Sequence, residues 1–315
     1  MTSPTDTEKE WIYWCHSDQP AMYAISALEA VKRMVDASPY PYPVALSETR
    51  NGDSIARGYA VACQGAIGYL GRLHCQPAHS DEPSLLARTV ADLCHKTLTT
   101  GVEMVQAILP ADADGPVESG LRKAFQSAGM IRAARLLQFE CTDIPFRHDG
   151  SPMALSFSPI ELRSYRDMPW RQWCQLVEET YTDTLDVPIL NGIRSIEQTL
   201  RGYAVGQPEN ELAWWSIHAG DSPIGCLILT SLSSSDCELT YLGLVPSARG
   251  HRYSPEIMDY VGQWMLDQGK SRVVLAVDEK NAPALHLYDS FGFEPMNAVE
   301  AWIASPRGNK IDAAW

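Results

Sequence analysis

Residues 238–293 read ELTYLGLVPSARGHRYSPEIMDYVGQWMLDQGKSRVVLAVDEKNAPALHLYDSFGF. An apolar strand (239–244) runs through Pro246 into a basic turn, Arg249-Gly-His-Arg-Tyr-Ser254, and a helix opens behind that turn. A second apolar strand (272–277) leads to Asn281, a short helix carrying Tyr288, and the pair Gly292-Phe293. No other stretch restricts the fold as much. The first N–H groups of a helix have no partner inside it, and a strand that enters a helix through a tight turn gathers them at one place. The positive end of the helix lies there too, so the turn is built to hold an anion of the phosphate type.

Around this stretch the pattern alternates between the two periods. Helices are expected over 22–37, 85–99, 117–127, 169–181, 193–203, 254–268 and 282–291. Strands are expected over 59–63, 66–74, 104–109, 136–141, 155–162, 212–218, 224–232, 239–244, 272–277 and 299–304. Residues 38–44 are too rich in proline for a helix interior. The strands from 212 to 244 form an antiparallel meander with GD and SSSD turns. Met258, Val261, Trp264 and Met265 fall on one helical stripe and are assigned to the core. Gly269 stands where a C-cap glycine belongs.

A chain of 315 residues favours two domains. The turn-rich seam at 147–152 sets their boundary, dividing 1–150 from 151–315. The halves repeat each other in pattern. Gly101 and the strand behind it, then a helix ending Ala128-Gly129-Met130, parallel Gly269, its strand, and a helix ending Phe291-Gly292-Phe293.

Net charge is −14, with both halves acidic, which argues against nucleic acid as a partner. It suits a cationic or amine ligand. The eight cysteines are scattered without a CxxC pair or histidines at ligand spacing, so they read as reduced thiols of a cytoplasmic protein, and no metal is implied. The N-terminal residues lack the basic and apolar regions of a signal peptide, and no apolar run reaches the ~20 residues of a membrane span.

Leu244-Val-Pro-Ser-Ala-Arg-Gly-His-Arg-Tyr-Ser254 resembles the acetyl-CoA signature of the GNAT superfamily of N-acetyltransferases. Leu244, Pro246 and Arg249 fall in its register. Asn281 and Tyr288, followed by Gly292-Phe293, resemble the family's second motif. The sequence departs from the signature at Arg252, where the family has glycine, and at Ser254, where it has glycine or alanine. Arg252 would either crowd the phosphate or pair with it.

The resemblance implies an α/β (α+β) chain of two GNAT-like domains. Each would hold a mixed, mostly antiparallel sheet flanked by helices, with acetyl-CoA as co-substrate. Leu244, Val245, Arg249, Gly250, His251, Arg252, Tyr253, Ser254, Asn281 and Tyr288 would contact it. Main-chain N–H groups from Arg249 to Ser254 would wrap the pyrophosphate, and the Leu244 amide would steady the oxyanion. Tyr288 would protonate the leaving thiolate. Asn281 caps its helix or bonds the ligand. Glu238 would take the amine proton, directly or through a water. It lies six residues before Leu244, an even spacing that puts both on one sheet face. Asp183 and Asp186, in the loop after the first helix of this half, would attract an ammonium group or serve as turn acids.

The first half carries Asp81 and Glu82 where the basic turn would be and has no Asn…Tyr pair. It is expected to be a degenerate copy without acetyl-CoA, serving as scaffold, acceptor-site wall or dimer surface, which leaves room for a homodimer. The expected activity is acetyl transfer to a primary amine of a small molecule. The alternatives are a protein amine as acceptor, or a binding or regulatory protein that keeps the fold without turnover.

Overall fold

A computed structural model describes residues 44–142 except 52 and 77–81, residues 159–306, and the helical positions 22, 25, 28, 29, 31 and 32. The seam at 147–152 and most of the helix expected over 22–37 lie outside the described residues. Two compact units are present, drawn otherwise than the expected halves. Unit 1 comprises 1–134, 192–206 and 300–315, and unit 2 comprises 135–191 and 207–299.

Unit 1 begins with strands β1 (Val44–Arg50), β2 (Asp53–Cys63), β3 (Ile67–Leu70) and β4 (His74–Cys75). Helix α1 (Pro83–Leu98), strand β5 (Met104–Pro110) and helix α2 (Pro116–Ser127) follow. Strands β1, β2 and β3 pair antiparallel in that order, β4 pairs with β2, and β3 pairs parallel with β5 through Ile67–Met104, Gly68–Val105 and Tyr69–Gln106. Strand β1 and the first half of β2 were not expected, because VALSETR and DSIARG carry little apolar alternation. The long strand expected over 66–74 is instead β3 and β4, parted by a break at 71–73.

Helices α1 and α2 each start on a proline, whose missing N–H is no loss there. Helix α2 ends in a glycine-capped turn. Gly129, at φ +81°, donates to Gln126 O and Met130 donates to Phe125 O. The core gathers Val90, Cys94, Val105, Phe125 and Trp302. Glu300 is buried beside it, 7% exposed, and accepts bonds from Arg122 Nε (2.9 Å), Arg132 Nη1 (3.0 Å) and Trp302 Nε1 (3.1 Å). Helix α4 (Ile196–Tyr203) opens with a Ser195/Gln198 capping box. It packs on the β2–β3 turn, where Arg194 Nη1 donates to Gly65 O at 2.9 Å.

Unit 2 takes strand β6 (Ile131–Cys141) from Arg135 onward, β7 (Ile160–Ser164), helix α3 (Trp170–Thr180), β8 (Ala213–Ala219), β9 (Ser222–Ser231) and β10 (Asp236–Leu244). Helix α5 (Ser254–Asp267), β11 (Arg272–Asp278), helix α6 (Ala282–Ser290) and β12 (Glu294–Ala304) follow, and β12 passes into unit 1 at Glu300. The strand order is β6-β11-β10-β9-β8-β7. Every neighbouring pair is antiparallel except β10 with β11. The expected meander is thus β8–β10. Strand β7 lies later than expected, with 155–158 outside the described residues.

The stripe on α5 is core: Ile257, Met258, Val261 and Met265 are each at most 2% exposed, and Trp264 packs edge-on against Trp215. Burying such side chains contributes about 1.5–3 kcal/mol each. Helices α5 and α6 end as α2 does, with Gly269 and Gly292 at positive φ and Lys270 and Phe293 donating back to Met265 O and Tyr288 O.

Cys63, Cys94, Cys226 and Cys237 are free and buried. Burial pushes the thiols of Cys63, Cys94, Cys226 and Cys237 up to about 12. Among the described residues no helix is long and apolar enough to cross a membrane, and no group of three or more His, Cys, Asp or Glu side chains is placed to hold a metal ion.

Candidate active site

Strand β10 leaves β11 after three parallel pairs, Asp236–Arg272, Cys237–Val273 and Glu238–Val274. Beyond them β10 stays with β9 while β11 stays with β6, so the two parallel strands part. The gap is a groove of about 240 Å³. Residues 239–244, Ala276, Val277, Arg249, Ser254, Asn281, Tyr288 and the loop 183–186 line it.

The backbone of β10 supplies the first polar group. Val245 N–H donates to Ile224 O on β9 at 2.9 Å. Successive N–H groups of a strand point to opposite edges, so the Leu244 N–H points into the gap. Further back, the register slips between Leu239 and Tyr241, leaving Thr240 as a bulge whose Oγ1 bonds Thr230 Oγ1 at 2.6 Å. This bulge overturns the expectation that Glu238 and Leu244 share a face. Glu238 stands opposite Thr230 and Leu244 opposite Gly225, and these two partners lie on opposite faces of β9. Glu238 is partly buried, burial raises its carboxyl, and it is not among the residues lining the groove.

The second part of the turn leaves its N–H groups open. Among the described residues, the N–H groups of Gly250, His251, Arg252, Tyr253 and Ser254 donate to no backbone acceptor. The Arg249 N–H differs, donating to Pro246 O at 3.3 Å. Two left-handed residues shape the turn, Gly250 at φ +78° and Arg252 at φ +61°. Arg252 therefore adopts the backbone of the glycine it replaces, and its side chain is exposed. His251 stacks on Tyr253 with ring centroids 5.8 Å apart.

Arg249 is not a free basic group. Its guanidinium donates to the carbonyls of Leu244 (3.1 Å), Thr180 (3.0 Å), Thr182 (2.7 Å) and Asp183 (3.0 Å). It thus occupies the carbonyl end of α3, where a cation is favoured.

Asn281 caps α6: its Oδ1 accepts from Ala284 N at 3.4 Å, with Pro283 just inside the helix. Tyr288, 8% exposed, lines the groove with its ring against Phe293. Burial, helped by the charge of Asp186, raises its phenol above the ordinary range. Asp186 Oδ1 accepts from Asp278 N at 3.1 Å, and Asp278 Oδ2 accepts from Val187 N at 3.3 Å, so the loop and the end of β11 brace each other. Burial raises the Asp186 carboxyl; the bond from the Asp278 N–H opposes the rise, and the Asp278 charge adds a smaller part to it. Asp183 and Val187 both sit at positive φ, +51° and +42°, which is strained for a β-branched valine.

Thr180, Tyr241 and Asp278 were not foreseen. Thr180 Oγ1 bonds Tyr241 Oη at 2.9 Å across 61 positions of sequence, and Tyr241 stacks on Tyr181 at 5.0 Å. Asp278 had a local signal, an acid at the end of a strand three residues before a cap asparagine.

Comparison with known proteins agrees with this geometry. The Acetyltransferase (GNAT) family model matches residues 170–293. A mycothiol acetyltransferase of Brachybacterium faecium is 36% identical over 73 residues, which is 23% of this chain and only 22% of that protein. A GCN5-related N-acetyltransferase from Sphaerobacter thermophilus has the same fold, with TM-score 0.58 at 14% identity over 96% of this chain and 94% of its own. A tandem GNAT protein from the clavulanic acid biosynthesis pathway gives TM-score 0.51 at 13% identity, covering 95% of each chain. The matched residues 170–293 hold the parted strands, the basic turn and Tyr288, so the part of the chain that is similar to the Acetyltransferase (GNAT) family is the part that carries the groove.

Proposed function

We propose that the groove of unit 2 binds acetyl-CoA and that the protein transfers its acetyl group directly to a primary amine of a small molecule. One observation carries this reading. The inward Leu244 N–H and the Tyr288 side chain share a groove with Ser254, the last residue of a turn whose N–H groups from Gly250 onward donate to no backbone acceptor. The N–H groups of Gly250 to Ser254 fit a pyrophosphate, and the gap between β10 and β11 fits an extended thioester arm.

In the reaction the amine nitrogen attacks the thioester carbonyl, the C–N bond forms, and the C–S bond breaks. The Leu244 N–H stabilises the charge that develops on the carbonyl oxygen. The Tyr288 phenol, kept protonated by burial, gives its proton to the departing thiolate. The amine proton leaves to water in the groove; Glu238, on the sheet face opposite Leu244 and outside the groove lining, is not placed to take it. Asp183 and Asp186, on the loop lining the groove, attract the ammonium form of the acceptor. Arg252 keeps the turn in glycine's backbone conformation, which supports binding over a closed, non-catalytic site.

The first copy is proposed to bind no acetyl-CoA, because it carries Asp81 and Glu82 where the basic turn would be and has no Asn…Tyr pair. A cytoplasmic location is proposed from the free, buried thiols.

The test is calorimetric titration with acetyl-CoA, followed by a panel of amines read by thiol release and product mass. Binding at micromolar concentration with turnover of at least one amine supports the reading. Failure to bind acetyl-CoA refutes it.

A further inference from the structure

The loop 182–187 is held in a conformation it would not choose. Asp183 and Val187 are left-handed at φ +51° and +42°, and neither is glycine. Strained residues persist only where surrounding bonds over-determine them. At the far end of the loop the bond is Val187 N–H to Asp278 Oδ2. At the near end it is the guanidinium of Arg249, which binds the Asp183 carbonyl itself and the carbonyls of Thr182 and Thr180 before it. The same guanidinium binds Leu244 O, the carbonyl of the residue whose N–H enters the groove.

Arg249 reaches these groups from the first position of the anion turn. A planar, five-donor fork can satisfy four carbonyls at once, which an ammonium cannot. We infer that Arg249 is the positioning residue of the acceptor wall: its side chain fixes the loop 182–187 to the anion turn and to the end of β10, and so determines which amine is accepted. The inference rests on the proposed function only in taking the loop as that wall. It departs from the expectation that Arg249 serves the pyrophosphate. The half-buried guanidinium is turned to protein carbonyls, and the Arg249 N–H is already bonded to Pro246 O.

The deciding experiment is amide hydrogen exchange on the unliganded wild type, Arg249→Lys and Arg249→Ala. Exchange at residues 182–187 should rise about tenfold or more in Arg249→Ala, and lysine should restore little of the protection. Amides of β8 and β9 should be unchanged, which separates a loosened loop from general unfolding. Unchanged exchange at 182–187 overturns the inference, as does an equal rise throughout unit 2. This readout needs neither ligand nor turnover.

Acetyl-CoA is then added. Protection of the amides 250–254 in both wild type and Arg249→Lys supports the inference, and loss of that protection in the lysine variant overturns it by assigning Arg249 to the phosphate. Absence of protection in the wild type counts against the proposed function alone. With turnover in hand, Arg249→Lys should raise KM for the amine about tenfold while KM for acetyl-CoA moves less than about threefold. The reverse split overturns the inference.

Discussion

Replacing Arg252 with glycine should stabilise unit 2. Arg252 sits at φ +61°, and the left-handed region costs a non-glycine residue roughly 1–2 kcal/mol. Glycine removes that cost but loses about 0.5–1 kcal/mol through its freer unfolded chain. The net gain is therefore about 0.75 kcal/mol, the middle of a range from about 0 to 1.5. Nothing else is lost with the side chain, which is exposed and has no hydrogen bond or ion pair among the described residues. For a unit of about 150 residues, such a gain raises Tm by roughly 1–4 °C. Arg252→Ala is the control. It keeps the left-handed penalty and removes the guanidinium, so it should melt within about 1 °C of the wild type by the same scaling. Thermal unfolding of the three proteins, followed by near-ultraviolet dichroism and checked by urea titration, reads both effects. A glycine variant that melts at or below the alanine variant would refute the reasoning, because it would mean the turn gains nothing from glycine's freedom.

Four further outcomes follow from the geometry. Tyr288→Phe should lower kcat by about 10²-fold or more while leaving the urea midpoint nearly unchanged. A parallel loss of stability would mean that the hydroxyl is structural. Asp186→Asn should weaken amine binding at neutral pH. Because burial raises the Asp186 carboxyl, the wild-type amine KM should climb as pH falls, starting above the ordinary carboxylate value of about 4. An acid limb identical in the two proteins would exclude Asp186. Glu300 is opposed by its own burial, but the bonds from Arg122, Arg132 and Trp302 outweigh it and hold its carboxyl low. Its contribution is therefore full above the unfolded value of about 4.3 and is lost as pH falls through the lower folded value. The stability gap between wild type and Glu300→Gln, from urea melts across pH 3–7, should be widest at neutral pH and shrink toward pH 3. Gly65→Ala should destabilise unit 1 by roughly 2–4 kcal/mol, since a Cβ there would meet Gln198 O and Gly202 Cα at 2.7 Å with φ at +89°. A change below about 1 kcal/mol would show that the hairpin yields easily.

What the sequence carried was local. The anion turn, the Asn281 cap, the three glycine-closed helices and the α5 stripe each depend on residues within a few positions of one another, and each reappears in the structure. The failures are matters of partnership. The slip at Thr240 is a difference in residue count between β10 and β9, which β10 alone cannot show. Arg249 bonds carbonyls up to 69 positions away, and carbonyls have no sequence signature. Strand β1 and the start of β2 are held by mutual pairing more than by apolar pattern. The acids of the loop 183–186 were legible as acids. Whether they face a ligand or brace the backbone depends on Asp278, which approaches from another strand.

The buried thiols have a consequence for a protein whose proposed product is itself a thiol. No cysteine lines the groove, and the four thiols pushed up to about 12 hold almost no thiolate at neutral pH. Free CoA and its disulfide therefore meet no nucleophilic sulfur where they would bind. Those four thiols should stay unmodified through incubation with CoA disulfide, as peptide mapping would read, and a cysteine placed on the surface could carry a spectroscopic label with little background from them.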